Sequence, residues 1–121
     1  MKTILVIDDE PELLDLLKYF FKQLNYTIIT FTHAVPVETI EDIMPLFIVL
    51  DYNLGTTTGD DLCRELKAYP PTQNIPVIML SANKELPQLA KDSCADAFLF
   101  KPFDIAELHR TVKNAELLQT S

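Results

Sequence analysis

The chain has 121 residues, a formal net charge of −8 and 48% hydrophobic residues. This composition and length indicate one folded domain spanning residues 1–121 and exclude a disordered chain. The chain has only two glycines and two cysteines, which excludes a glycine-rich nucleotide-binding loop, a cysteine-rich zinc site and a disulfide scaffold. The acid excess, with no cluster of Lys and Arg, argues against direct binding of nucleic acid.

Short apolar runs alternate with amphipathic helical stretches along the chain. Near-continuous apolar runs are typical of buried strands in a parallel sheet that helices cover on both faces. These runs are Thr3–Ile7, Thr27–Phe31, Leu46–Leu50, Pro76–Leu80 and Ala97–Phe100. Because strand–helix–strand connections force parallel pairing, the alternation predicts an α/β fold, a (βα)5 doubly wound parallel sheet.

The helical stretches carry start and stop signals of their own. Pro11 suits the first position of the first helix, and Asn25 suits the left-handed residue that follows its end. The pair Asp104 and Glu107 has the spacing of a capping box, which predicts the start of the last helix. The fourth stretch, Lys84–Ser93, has few apolar residues, so we expect that helix to be short or displaced.

We expect neither a signal peptide nor a membrane span. The apolar stretch from Ile4 to Ile7 is shorter than the roughly 7–15 apolar residues of a secretory signal. No run approaches the roughly 18 apolar residues that cross a bilayer. These features predict a cytoplasmic protein with reduced thiols, in which a disulfide between Cys63 and Cys94 is not expected.

Polar residues end or follow four of the five predicted strands, and they are Asp8, Asp9, Asp51, Ser81 and Lys101. In an open parallel sheet, ligands bind outside the carboxyl ends of the strands, so we expect these side chains to meet at one edge. Three carboxylates close together repel one another unless cations offset their charge. Mg²⁺ is typically held by one or two carboxylates with phosphate and water. The set therefore favours phosphoryl transfer, with one carboxylate as a candidate acceptor that forms an aspartyl phosphate.

The same residues, with their neighbours, resemble a known family over essentially the whole chain. The motifs are Ile7-Asp8-Asp9-Glu10, Leu50-Asp51, Gly59, Ser81-Ala82 and Lys101-Pro102-Phe103, in that order. In this order and at these spacings they resemble the response-regulator receiver domain of two-component signalling, which includes chemotaxis regulators. The resemblance implies a flavodoxin-like sheet with strand order 2-1-3-4-5.

The resemblance also implies a role for each site residue. Asp51 would be the phosphoacceptor, receiving the group from a phosphohistidine on a sensor histidine kinase or phosphotransfer protein. Lys101 would pair with a phosphoryl oxygen. Mg²⁺ would be bound directly by Asp9, Asp51 and the backbone carbonyl of Asn53, with Asp8 acting through water.

A conformational switch is implied as well. Ser81 would hydrogen-bond a second phosphoryl oxygen, Phe98 would hold the aromatic switch position, and the Lys101–Pro102 peptide bond would be cis. The surface around the fourth helix, the fifth strand and the last helix would then control a downstream protein target or output domain. The resemblance also allows a homodimer through that surface. Such a domain catalyses only its own phosphorylation and dephosphorylation, so it is not an enzyme with turnover.

Three rival interpretations differ in class. A pseudo-receiver scaffold that works without phosphorylation is disfavoured by the complete set of acids, hydroxyl and lysine. A small aspartyl-phosphate phosphatase is disfavoured because the chain has no room for a cap domain, and a cofactor-binding flavodoxin-like module because no phosphate loop follows the first strand. The sequence leaves open whether the chain stands alone or is a receiver cut from a longer regulator.

Some neighbouring residues have a simpler interpretation or depart from the family pattern. Glu10 and Glu12 are explained as favourable charges in the first turn of a helix. Gly55 stands where the family usually has proline, which predicts a more flexible loop after Asp51. Cys94 stands where a glycine usually ends the fourth helix.

Overall fold

The computed structural model describes residues 2–82, 88 and 94–120. The strands are β1 (Thr3–Ile7), β2 (Thr27–Phe31), β3 (Ile48–Asp51), β4 (Val77–Ser81) and β5 (Ala97–Phe100). They form one parallel sheet in the order β2-β1-β3-β4-β5. This order confirms the predicted doubly wound, flavodoxin-like fold.

The described helices are α1 (Pro11–Gln23), α2 (Val37–Ile43), α3 (Gly59–Ala68) and the C-terminal helix (Ile105–Thr120). The predicted helical stretch Lys84–Ser93 lies outside the described residues, apart from Gln88. None of the described helices is long and apolar enough to cross a membrane.

The helix boundaries follow local chemistry. Asn25 has a φ of 67°, which is the left-handed conformation that asparagine tolerates after a helix end. At the C-terminal helix, the amide N of Glu107 donates to Asp104 Oδ1 at 2.8 Å, and the amide N of Asp104 donates to Glu107 Oε1 at 3.4 Å. Both signals were read correctly from the sequence. Thr58 caps α3, because its Oγ1 accepts from the amide N of Asp61 at 3.1 Å.

Alternating strand residues feed two cores, one on each face of the sheet. Ile4 and Val6 belong to the core under α1 and the C-terminal helix. Leu5 and Ile7 belong to the opposite core, under α2 and α3. This period of two follows from the pleat of the strands.

The prediction of five buried strands was wrong for β2. Every residue of β2 is only half-buried, and β5 is half-buried at its first two residues. Both strands lie at the edges of the sheet, so each has one neighbouring strand and less cover from the helices. The three central strands are almost completely buried.

Strands β3 and β4 end one residue later than the apolar runs predict, at Asp51 and Ser81. The hydrogen-bond ladder explains the difference. The amide N of Tyr52 donates to the carbonyl of Leu80 at 2.8 Å, and the amide N of Lys101 donates to the carbonyl of Ser81 at 2.8 Å. The backbones of Asp51 and Ser81 are therefore held by the sheet and not by a loop.

Gly59 lets α3 start close against the end of β3. Its amide N donates to the carbonyl of Tyr52 at 2.6 Å. A Cβ atom at Gly59 would overlap the carbonyl oxygen of Asp51 and touch the sulfur of Met79. Gly59 is therefore required by close backbone approach, which fixes α3 beside the carboxyl end of β3.

Replacing Gly59 tests this packing. We expect Gly59→Ala to lower the free energy of unfolding by at least about 2 kcal/mol, because backbone atoms of β3 must move to make room. Gly55→Ala is the matched control, since its Cβ would meet nothing within 4 Å and the cost comes from a φ of 83°. That strain costs about 1 kcal/mol. Urea unfolding measures both variants, and an equal loss in the two would contradict the close-approach explanation.

Candidate functional site

The pleat of the strands brings Asp8, Asp51 and Lys101 to the same side of the sheet edge. Each residue comes two positions after an apolar residue of the core under α1. These apolar residues are Val6, Val49 and Leu99. Because side chains two positions apart share a face of a strand, the three charged groups extend that face beyond the core.

Lys101 is the hub of the acidic group. Its Nζ lies 2.9 Å from Asp8 Oδ2, 3.2 Å from Glu10 Oε1 and 3.5 Å from Asp51 Oδ2. Asp8 is completely buried and Asp51 is 5% exposed. Three carboxylates share one ammonium here, so the site keeps an excess of negative charge that a further cation would offset.

Opposing influences act on the carboxyl group of Asp51. Burial raises its pKa from 3.8 to about 6, and the charges of Asp8 and Asp9 act in the same direction. Lys101 and the amide N of Asn53, which donates to Asp51 Oδ1 at 3.3 Å, lower the pKa. At neutral pH the carboxylate is therefore ionised, although burial makes this charged form unfavourable in free energy.

Lys101 stays protonated in this setting. Burial by itself lowers the pKa of its ammonium group. The hydrogen bond to Asp8 and the charge of Asp51 outweigh that effect and raise the pKa above 10.5. Lys101 is consequently a fixed positive charge beside Asp51.

The oxygen atoms around this hub suit a hard divalent cation. Carboxylate oxygens of Asp8, Asp9 and Glu10 lie within 4.8 Å of one another. Asp9, Asp51 and Asn53 line one cavity of about 540 Å³ beside them. A set of carboxylate and carbonyl oxygens with room for water is what Mg²⁺ prefers, so these residues fit that ion.

Ser81 lies in the same place, whereas Phe98 does not. Ser81 is buried and lines the cavity together with Asp51 and Lys101. Phe98 is half-buried and packs against the core under α2 and α3. The Lys101–Pro102 peptide bond is cis.

Glu10 was explained from the sequence as a helix charge, and this interpretation was incomplete. Its side chain pairs with Lys101, and its amide N donates to Asp8 Oδ1 at 2.9 Å. Its side chain makes no capping hydrogen bond to α1. The acidic run Asp8-Asp9-Glu10 was visible in the sequence, but acids are also favourable at a helix N-terminus, so the run did not reveal the pairing of Glu10 with Lys101.

The comparison with protein families agrees with this geometry. The family described as the response regulator receiver domain matches residues 4–113. The chain belongs to this family. Receiver domains act in phosphorylation-activated signalling of two-component systems. They bind Mg²⁺ in their active site and work with histidine kinases and output domains.

Individual relatives place the receiver domain within longer proteins. The phosphate regulon transcriptional regulatory protein PhoB of Rhizobium meliloti is 32% identical over 116 residues, which cover 93% of this chain and 51% of that protein. The chain thus spans about half the length of the curated relatives it matches. Those relatives are named as transcriptional or DNA-binding regulators, so the predicted lack of nucleic-acid binding concerns residues 1–121 alone.

Solved structures agree on the receiver fold. A putative response regulator from Chloroflexus aurantiacus has a TM-score of 0.87 at 24% identity, over 96% of this chain and 98% of that one. At this identity the likeness shows the fold alone. The response regulator TrrA of Thermotoga maritima, solved in complex with Mg²⁺ and BeF, has a TM-score of 0.76 at 27% identity, over 95% and 99% of the two chains.

Because ionisation of buried Asp51 is unfavourable, the stability difference between Asp51→Asn and the wild type should depend on pH. Without divalent cations at pH 7.5, we expect Asp51→Asn to be more stable than the wild type by about 1–3 kcal/mol, because the buried charge is gone. A pKa raised in the folded state means that the wild type regains stability as the pH falls from about 6 to 3.8. The difference should close in that window.

Urea unfolding in EDTA across this pH range measures the effect. Asp15→Asn on the exposed face of α1 is the matched control, and it should leave stability within about 0.5 kcal/mol of the wild type. A stability difference for Asp51→Asn that stays constant down to pH 3.8 would contradict the pKa of Asp51.

Proposed function

We propose that Asp51 accepts a phosphoryl group from a phosphohistidine on a sensor histidine kinase or phosphotransfer protein, in a Mg²⁺-dependent reaction. The observation that carries this proposal is the position of Asp51. Asp51 lines the cavity, and its Oδ2 lies 3.5 Å from Lys101 Nζ. A nucleophile is thus accessible to a donor and stands beside a fixed positive charge.

Burial and charge distinguish Asp51 from its two acidic neighbours. Asp8 is completely buried and pairs with Lys101 at 2.9 Å, and it is not among the residues that line the cavity. Asp9 lines the cavity but is exposed, so water solvates its carboxylate. Asp51 combines access with partial desolvation, which favours nucleophilic attack.

The proposed transfer balances simply. An oxygen of Asp51 attacks phosphorus, the bond from phosphorus to the donor histidine nitrogen breaks, and the imidazole nitrogen keeps the electron pair and takes up a proton. Lys101 pairs with one phosphoryl oxygen, and the hydroxyl of Ser81 donates to another.

The cation has ligands of its own in this proposal. Asp9, Asp51 and the backbone carbonyl of Asn53 would hold Mg²⁺ directly, with Asp8 acting through water. When bound, Mg²⁺ supplies positive charge that neutralises the transferring group.

Ser81 and β5 link this chemistry to a surface. Ser81 pairs with Phe100 in the register of β4 and β5. Phe98 is two residues before Phe100 on the same face of β5. We therefore expect a movement of Ser81 toward a phosphoryl oxygen to be transmitted to Phe98 along β5. We infer that Phe98 turns inward. The surface formed by the helix predicted over Lys84–Ser93, β5 and the C-terminal helix then controls a target, an output domain or a second copy.

In this function the domain is a regulator. It catalyses its own phosphorylation and its own dephosphorylation, and it releases no product from a separate substrate. The alternative of a scaffold that works without phosphorylation is an outcome of the experiment below.

Adduct formation tests the acceptor. With Mg²⁺ and acetyl phosphate, we expect the wild type to gain one phosphoryl group, about 80 Da by intact mass. Asp51→Asn should gain none, because the nucleophile is missing, and beryllofluoride should give one fluorine NMR signal set in the wild type alone. Asp15→Asn, an exposed acid on α1, should behave as the wild type. An adduct that persists in Asp51→Asn would assign another acceptor, and no adduct in any protein would favour the scaffold.

Removing the shared ammonium tests how charge is balanced. Lys101→Gln leaves buried Asp8 without its partner, so we expect the free energy of unfolding in EDTA to fall by about 3 kcal/mol. Saturating Mg²⁺ should restore more stability in this variant than in the wild type, because the cation offsets the same carboxylates. Lys113→Gln, which removes the pair of exposed Lys113 with half-buried Glu116 at 3.7 Å, should change neither value. An equal response to Mg²⁺ in all three proteins would contradict a cation bound at these carboxylates.

A further inference from the structure

The two cysteines meet away from the acidic site. Cys63 Sγ on α3 lies 3.3 Å from Cys94 Sγ, which is just before β5, although 31 residues separate them along the chain. Both are free thiols, Cys63 completely buried and Cys94 half-buried. Reacting atoms about 3–3.5 Å apart are already at the distance of a near-attack arrangement.

A second contact holds the same two segments together. Lys67 is four residues after Cys63, on the same face of α3, and Asp96 is two residues after Cys94. Lys67 Nζ donates to Asp96 Oδ2 at 2.8 Å and to the carbonyl of Ile75 at 2.8 Å. The sulfur pair and this ion pair therefore form two successive links between α3 and the entry to β5.

Asp96 is itself fixed to the sheet. Its Oδ2 accepts from the amide N of Val77 at 2.8 Å, and its own amide N donates to the carbonyl of Val77 at 2.9 Å. The segment that carries Cys94 is thus anchored to the start of β4. The short distance between the sulfur atoms follows from this frame and is not an isolated contact between exposed side chains.

We propose that Cys63 and Cys94 form a reversible disulfide under oxidation by hydrogen peroxide, which makes this pair a redox-sensitive modification site. Forming the bond shortens the sulfur–sulfur distance from 3.3 Å to about 2.05 Å, a small movement for two side chains. Cytosolic disulfides, where they occur, are usually transient and redox-sensing. The proposal depends on neither Asp51 nor Mg²⁺.

The reaction proceeds in two balanced steps. The sulfur of Cys94 attacks one oxygen of the peroxide, the oxygen–oxygen bond breaks, and water leaves, which gives a sulfenic acid at Cys94. The sulfur of Cys63 then attacks the sulfur of Cys94, the sulfur–oxygen bond breaks, and the hydroxyl leaves as water with the thiol proton of Cys63. Two thiols are oxidised to one disulfide, and one peroxide is reduced to two waters.

Exposure sets the order of these steps. Cys63 is completely buried, so peroxide in solution reaches half-buried Cys94 first. Burial also raises the pKa of the Cys63 thiol, and its contact with Cys94 adds to that shift. Cys63 is therefore not the thiol that peroxide oxidises first, and it acts as the resolving thiol because its sulfur lies 3.3 Å from that of Cys94.

Mass spectrometry of the full chain tests the proposal. Under peroxide, the wild type should lose two hydrogen atoms, about 2 Da, and a peptide joining Cys63 to Cys94 should appear and disappear again with dithiothreitol. Cys63→Ala should stop at Cys94, with a gain of about 16 Da that dimedone traps. Accumulation of oxygen adducts on wild-type Cys94 without the joined peptide, or dimers linked between chains, would overturn the proposal.

Variants that retain both cysteines test the role of the Lys67–Asp96 link without the risk that a cysteine substitution disturbs folding. Lys67→Met removes the neighbouring link, so the joined peptide should form about two- to fivefold more slowly. Arg64→Met removes the pairs of the exposed Arg64 side chain with Asp60 and Asp61 on the same helix, neither of which links α3 to β5, and its rate should equal that of the wild type. Equal rates in Lys67→Met and the wild type would overturn the role of the frame.

Discussion

The ion pair between Lys101 and Asp8 joins the central strand β1 to the edge strand β5 at the functional site. Asp8 is completely buried at the end of β1, and its carboxylate is paired at 2.9 Å with an ammonium that is 93 residues away along the chain. A carboxylate buried in this way is strongly unfavourable unless a charged partner and hydrogen bonds compensate it. The amide N of Glu10 supplies one such hydrogen bond. The site is therefore complete only when β5 has taken its place in the sheet.

Much of the fold could be predicted from the sequence alone. A parallel sheet covered on both faces needs near-continuous apolar runs, and its crossovers need helices, so the runs alone predicted the architecture. Burial at the edges was not readable in this way. The sequence of β2 reads as an apolar run with two threonines, and its half-buried state comes from having one neighbouring strand. The ends of β3 and β4 were misplaced because hydrogen bonding continues past the last apolar residue.

Much of the candidate site could also be predicted from the sequence. Since the carboxyl ends of parallel strands share one edge, the positions of Asp8, Asp51 and Lys101 after their strands predicted that they meet. Glu10 was missed as a partner of Lys101, because an acid at a helix start looks the same whether it faces the helix dipole or a lysine. The contact between Cys63 and Cys94 leaves no sequence signal, since it depends on how α3 lies against the entry to β5.

The net charge of −8 has a local meaning in this structure, and it limits how the proposed switch can work. A phosphoryl group adds about −1.5 to −2 charges at neutral pH, and a bound Mg²⁺ adds two positive ones. The total charge of the domain therefore changes little between its metal-free and its magnesium-bound, phosphorylated forms. A partner cannot distinguish these forms by long-range attraction. Discrimination must come from directional contacts, those of Lys101 and Ser81 with the new oxygens, because a ligand shifts a conformational equilibrium only through contacts that differ between the two states.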